Sequence, residues 1–241
     1  MTWTLKDSND RKVVEGILDL STVKAIHKLQ VRRVVGHLAG VVKEGKESTI
    51  VAATDKDDEK IILKIFKVEA SQFKRMQKYI VGDKRFSGIK LTRRSLVPEW
   101  CKKEFSNLKR ADAAGVNVPK PVAFYRNILV MEYIGDDELA LKLKDTHLRN
   151  PKKMFDDIIK ELRKLYCGAE LVHADASEYN ILVRDGRPVI HDMAQSVELS
   201  HPLADEFLRR DVGNLCKYFE RLGVVKDREK AAREIADCGK E

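Results

Sequence analysis

The chain has 241 residues, of which 43% are apolar and 35% charged, with 46 basic against 38 acidic side chains. That length suits one large domain or two small lobes, and the apolar share is ample for a core. No apolar run approaches the roughly 20 residues that a membrane-spanning helix needs. Residues 1–12 are polar and mixed in charge, so no leader peptide is expected and the protein reads as cytoplasmic. The charged share is well above the usual quarter and hints at a heat-tolerant source. Cys101, Cys167, Cys216 and Cys238 are scattered without a C-x-x-C pair, which predicts reduced thiols and neither a zinc site nor a disulfide framework.

Residues 10–37 carry apolar positions at helical spacing (Val13, Val14, Ile17, then Val23, Ile26, Leu29). This predicts one or two helices, with Ser21 as an N-cap at a boundary. From Leu38 the pattern turns to strands. Two apolar runs flank 43–47, a hairpin tip with Gly45, and 60–66 reads as a third strand after a polar turn.

The net charge of +8 is local. Residues 69–103 hold ten basic side chains against Glu69, Asp83 and Glu99, an excess of seven. Such a patch suits a polyanionic partner, and its centre near 82–88 is expected to be mobile. A helix is predicted from Pro98 to Ala114, stopped by Gly115. Strands follow at 118–124 and 128–133, then a helix near 152–167. A hairpin at 181–190 carries an Asp-Gly turn signal, and another helix covers 203–222. Strands dominate the first part and helices the second, with the change near 133–137.

The chemistry gathers at His173-Ala174-Asp175-Ala176-Ser177-Glu178-Tyr179-Asn180, with Asp192 after the hairpin. H-x-D-x-x-x-x-N followed by an acidic residue is the catalytic pattern of protein kinases. Asp175 is placed to orient or deprotonate a hydroxyl. Asn180 starts one hairpin strand and Asp192 ends the other, so a tight turn brings both to one side, where they suit Mg²⁺. His173 is expected to hold backbone rather than metal, since no second histidine stands at ligand spacing. Upstream, Lys64 lies within Ile61-Ile62-Leu63-Lys64-Ile65-Phe66. An ammonium in so apolar a strand needs a partner, and Glu104 on the following helix is the candidate. Residues 45–49 can form a phosphate-contacting loop, although no glycine-rich or Walker motif is present.

With these residues the chain resembles the RIO family of atypical serine/threonine protein kinases, in its type-one, archaeal-like branch. The likeness covers nearly the whole length. It runs through 45–48, Lys64 in Leu-Lys-Ile-Phe, 79–86, 100–108, 131–135, 171–182, 192–198 and 206–211. The resemblance implies an α+β, two-lobed protein-kinase-like fold with extra N-terminal helices. Its parts would be a helical segment at 1–36, a small strand-rich lobe at 37–134 with a basic insert at about 69–98, and a trimmed helical lobe at 135–241. ATP would be the phosphoryl donor, with Mg²⁺ or Mn²⁺. Lys46, Glu47 and Ser48 would face the phosphates, Lys64 and Glu104 would anchor them, and Met131, Glu132 and Ile134 would form the hinge beside adenine. Asp175 would be the catalytic aspartate, and Asn180 and Asp192 the metal ligands, with Asp192 also a transient phosphoryl acceptor.

The resemblance further implies autophosphorylation, ATPase activity and a part in late maturation of the small ribosomal subunit. The partner would be the precursor particle, its rRNA and proteins; no membrane partner and no oligomer are implied. Ser71, Ser87 and Ser95 are candidate phosphorylation sites. Ala174 stands where ordinary kinases have arginine, Met193-Ala194 replaces Phe-Gly, and no Ala-Pro-Glu segment follows, which weakens the case for peptide substrates. Two other readings compete: a nucleotide-dependent RNA-binding scaffold with slow turnover, and a small-molecule phosphotransferase of kinase-like fold.

Overall fold

The structure, a computed structural model, describes residues 18–67, 73–80, 82–86 and 92–239. Val13, Val14 and Ile17, expected from the sequence to be helical, and Ser71 and Ser87 lie outside them. The chain divides into two compact units that are not contiguous in sequence. The first takes 1–74, 90–105 and 120–133, and the second takes 75–89, 106–119 and 134–241.

In the first unit, strands β1 (Leu38–Glu44), β2 (Ser48–Thr54), β3 (Lys60–Phe66), β4 (Pro121–Tyr125) and β5 (Ile128–Glu132) form one sheet in the order β1-β2-β3-β5-β4. All neighbours are antiparallel. Helix α1 (Leu20–Val31) covers one face. Its Ala25, Ile26 and Leu29 pack with Val51, Leu63 and Val130 in a buried cluster. The N-cap of α1 is Asp19, not Ser21. Asp19 has extended backbone, and its carboxylate accepts the N–H groups of Ser21 and Thr22 at 2.9 and 3.0 Å. A carboxylate two residues upstream satisfies the helix's orphan donors and carries favourable charge there, and the serine hydroxyl merely donates to it.

After α2 (Phe73–Ile80), helix α3 spans Arg93–Ala113 and so begins before Pro98. Thr92 and Ser95 cap its start reciprocally. The Thr92 N–H donates to the Ser95 hydroxyl at 2.9 Å, and the Ser95 N–H donates to the Thr92 hydroxyl at 3.2 Å. Pro98 sits inside the helix. Gly115, at φ +72°, ends the turn beyond it.

The second unit is built on α4 (Pro151–Cys167), α5 (Ala204–Glu220) and α6 (Arg228–Ala236). Asn150 caps α4 and Pro151 opens it, while Met154, Phe155, Ile158, Ile159, Leu162 and Leu165 form its buried stripe. Phe155 meets Phe219 of α5 edge to face, at 5.3 Å between centroids. Strands β7 (Ile181–Arg184) and β8 (Arg187–Ile190) form the expected hairpin, with Asp185 and Gly186 at φ 52° and 70° as its tight turn requires. A second ribbon pairs β6 (Leu171–Val172) with β9 (Val197–Glu198).

The expectation of four reduced thiols is corrected here. Cys167 and Cys238 are joined in a disulfide with Cα atoms 5.4 Å apart, and only Cys101 and Cys216 are free thiols. Spacing along the chain says nothing about α6 folding back beside the end of α4, which is what brings the two together. In the described part of the segment near Gly82, residues 84–86 form a 3₁₀ turn, and Asp83 and Phe86 are buried. Among the described residues no helix is long and apolar enough to cross a membrane.

Candidate active site

The candidate residues fall in both units. In the first, Lys64 lies at the centre of β3, opposite Ile50 of β2 and Leu129 of β5. Its Nζ donates to both carboxylate oxygens of Glu104 at 2.8 Å. The lysine side chain is 8% exposed and the glutamate 1%. A pair this dry gains little net stability, but each member strands the other if removed. Lys46 and Glu47 are exposed at the β1–β2 turn and Ser48 is half-buried. The turn is closed by the Gly45 N–H donating to the Ser48 carbonyl at 2.9 Å. Met131 and Glu132 end β5. The Glu132 N–H is taken by the Lys120 carbonyl at 2.9 Å. Ile134 belongs to the second unit, where its carbonyl accepts the Ala140 N–H at 2.8 Å.

In the second unit the loop 173–180 is shaped by hydrogen bonds at both ends. Ala174 takes the left-handed conformation, φ 64°, a costly one for a residue with a β-carbon. What holds it is Asp211 on α5. Its Oδ2 accepts the Ala174 N–H at 2.7 Å and its Oδ1 the Ala176 N–H at 3.1 Å, while Arg210 donates to the Ala174 carbonyl. Burial pushes the Asp211 carboxyl well above the usual range, against the opposite pull of Arg210 and of the two amide donors.

Asp175, next in the loop, is half-buried. Its Oδ2 accepts from Asn180 Nδ2 at 3.0 Å and from Gln195 Nε2 at 2.9 Å. Asn180 Nδ2 also donates to the Asp175 carbonyl at 2.9 Å. Both amide protons of Asn180 are thus committed, and its carbonyl oxygen is the atom suited to a cation. The His191 N–H donates to the main-chain carbonyl of Asn180 at 3.1 Å, leaving the side-chain Oδ1 out of this bond and extending the β7–β8 ladder by one step. That step places Asp192, the next residue, at the same end of the hairpin as Asn180. Asp192 is also left-handed, at φ 63° and ψ 58°, and its side chain caps no helix. His173 acts through backbone, its Nε2 lying 3.0 Å from the His191 carbonyl.

Among the described residues no group of three or more His, Cys, Asp or Glu side chains could hold a metal by itself. Asn180 and Asp192 offer two hard oxygen donors. That fits Mg²⁺, which commonly takes one or two protein ligands and completes its shell with phosphate and water.

Asp211, Gln195 and Asn107 were not singled out from the sequence. For Asp211 a signal existed, an acidic residue on the apolar face of α5 between Phe207, Leu208 and Leu215. Nothing in the pattern marks Gln195 or Asn107.

A five-stranded antiparallel sheet carrying a buried Lys–Glu pair, and a helical unit with a hairpin flanked by Asp175, Asn180 and Asp192, define a protein-kinase-like fold. The RIO domain family matches residues 49–232. The chain is 40% identical over 224 residues to the RIO-type serine/threonine-protein kinase Rio1 of Haloferax volcanii, covering 92% of this chain and 77% of that one. It is 39% identical to Rio1 of Methanocaldococcus jannaschii, covering 89% and 74%. Human serine/threonine-protein kinase RIO1 is 36% identical over 92% of this chain, which spans only 40% of that longer protein. Among solved structures, the Rio2 kinase of Chaetomium thermophilum, in complex with ADP, Mg²⁺ and phosphoaspartate, superposes with a TM-score of 0.70 at 23% identity, covering 91% of this chain and 68% of that one. The chain belongs to the RIO family of atypical serine/threonine-protein kinases.

Proposed function

We propose that this chain transfers the γ-phosphoryl group of ATP in the presence of Mg²⁺, or of Mn²⁺ in its place. The observation that carries the reading is the arrangement around Asp175. One of its oxygens is held by two side-chain amides, and one of those, Asn180, is tied across the hairpin to the residue before Asp192. Phosphoryl transfer asks for positioning and charge neutralisation rather than new covalent machinery. Lys64, aimed by Glu104, would neutralise the phosphates, with Lys46, Glu47 and Ser48 at the β1–β2 turn. Met131, Glu132 and Ile134 would accompany the adenine. Asn180 and Asp192 would hold the cation, which would neutralise charge on the phosphates. Asp175 would orient the attacking hydroxyl and take its proton as the new P–O bond forms and the bond to the β–γ bridging oxygen breaks, releasing ADP.

The acceptor we propose is a serine of this chain, which is autophosphorylation, or water, which is ATPase activity. Asp192 would serve as a transient acceptor through a phosphoaspartate. Family membership and the basic stretch at 69–103 support a role in late maturation of the small ribosomal subunit. There the chain would bind precursor rRNA and proteins in the cytoplasm. Calorimetric titration with a non-hydrolysable ATP analogue tests the site. Binding that tightens with Mg²⁺ in the wild type, and loses that dependence in Asp192→Asn, is expected; absence of binding by the wild type refutes it. Salt-sensitive co-sedimentation with small-subunit precursors, absent with mature large subunits, is the expected result for the partner.

A further inference from the structure

The turn that follows Asp192 is held from outside the catalytic loop by one buried amide. Asn107, on the part of α3 that belongs to the second unit, is fully buried. Its Nδ2 donates to the carbonyls of Met193 and Ser196 at 2.8 and 3.1 Å. Those carbonyls bracket the 3₁₀ turn Met193–Gln195, whose first residue follows Asp192. Its last residue, Gln195, holds the Asp175 carboxylate. One side chain therefore fixes the peptide frame of one acidic group and, through Gln195, the carboxylate of the other.

The amide is itself aimed. Asn107 Oδ1 accepts from Arg85 Nη1 at 2.7 Å. The rest of the guanidinium serves Asp83, Nε to Oδ1 at 2.9 Å and Nη2 to Oδ2 at 2.7 Å. The Asp83 side chain is fully buried, and Glu198 stands 3.7 Å from Arg85 Nε. A cationic donor on Oδ1 decides which way the amide faces, so that Nδ2 meets the two carbonyls; turned over, it would set oxygen against oxygen. Only a planar fork reaches both acceptors at once, and a lysine ammonium in its place would serve one.

We propose that Asn107 and Arg85 are positioning residues for phosphoryl transfer, locking the turn that carries Asp192 and Gln195 and tying it to the 82–86 segment of the basic stretch. The inference rests on reading Asp175 and Asp192 as the catalytic pair. Neither positioning residue need touch nucleotide; each acts through groups that do. Partners of this kind behind metal-binding carboxylates are typically worth about 10- to 100-fold in activity or metal affinity.

The test is Mg²⁺-dependent ATP turnover by wild type, Asn107→Ala, Arg85→Lys and Asp175→Ala, over ranges of ATP and Mg²⁺, each below its melting temperature. In Asn107→Ala, kcat should fall by roughly 10- to 100-fold and the half-saturating Mg²⁺ concentration should rise. The KM for ATP should move far less, because the Lys64–Glu104 pair is untouched. Arg85→Lys should shift the same quantities in the same direction by less. A merely structural tie would lower the melting temperature and leave the Mg²⁺ dependence and kcat where they were, and that result overturns the inference. Should Asn107→Ala fail to fold, Arg85→Lys decides. Loss of activity in Asp175→Ala beside wild-type behaviour in both other variants sinks this inference alone. Wild-type turnover by Asp175→Ala sinks the reading of the site with it.

Discussion

Replacing Cys238 by serine removes the bond that ties α6 to α4. The bridge to Cys167 closes a loop with a sequence separation of 71. Cross-linking so long a loop removes about 4 kcal/mol of freedom from the unfolded chain. The element it secures is weak without it. Helix α6 has nine residues and buries only Ala231, Ala232 and Ile235, and an isolated helix of that length is marginal. Cys238→Ser should therefore cost up to about 4 kcal/mol, or roughly 8–16 °C in the melting midpoint for a chain of this size. Thermal melts of wild type with and without dithiothreitol, of Cys167→Ser, of Cys238→Ser and of the double variant provide the check. Reduced wild type and all three variants should share one lowered midpoint, because each lacks the same single bond. Thiol titration of the denatured, unreduced wild type should find two of the four cysteines. A wild-type midpoint indifferent to reductant, or four titratable thiols, would refute the reasoning.

Other consequences follow from the buried charges and the strained backbone. Lys64→Met leaves Glu104 buried without its cation, so it should cost about 3–5 kcal/mol in urea melts and abolish turnover, while Lys64→Met with Glu104→Leu should regain stability but not activity. In Asp211→Asn one of the two loop N–H groups faces an amide donor instead of an acceptor, a loss of about 1–3 kcal/mol measurable by denaturant unfolding. Because the folded-state carboxyl of Asp211 is raised, the native protein keeps that proton to higher pH than the unfolded chain does. Its contribution is complete below the ordinary value near 3.8 and is lost as pH rises through the folded value; Asp211→Asn should flatten that part of the stability–pH curve. Gly135 has φ +147°, and a β-carbon there would lie 2.1 Å from the Glu138 carbonyl oxygen, so Gly135→Ala should destabilise by more than about 2 kcal/mol in the same assay.

Much of the architecture was legible because it depends on local pattern. The Asp-Gly turn, the apolar run around Lys64 and the amphipathic stripes of α4 and α5 each declare themselves within a dozen residues. What was not legible depends on which distant segments meet. Pro98 reads as a helix start because proline favours the first turn, yet the reciprocal Thr92–Ser95 cap begins α3 earlier. Strands β6 and β9 are two residues each, too short for any alternation to show. The Cys167–Cys238 bridge follows from α6 packing on α4. Among the candidate residues, Lys64 in the first unit and Asp175, Asn180 and Asp192 in the second could be picked out by motif and spacing. Asp211 and Asn107 act on backbone and Gln195 on the Asp175 carboxylate, and polar residues of that kind look like any surface residue until the fold buries them.

The central claim is tested most directly by following the γ-phosphate of labelled ATP with Mg²⁺, scoring both released phosphate and label on the protein, for wild type, Asp175→Ala and Asp192→Asn. Asparagine tolerates the left-handed backbone at 192, so the last variant should fold. The account predicts turnover or labelling by the wild type that vanishes in both variants, with hydroxylamine-sensitive label if Asp192 accepts the phosphoryl group. No nucleotide-dependent signal from the wild type, or a signal that survives in either variant, would contradict it.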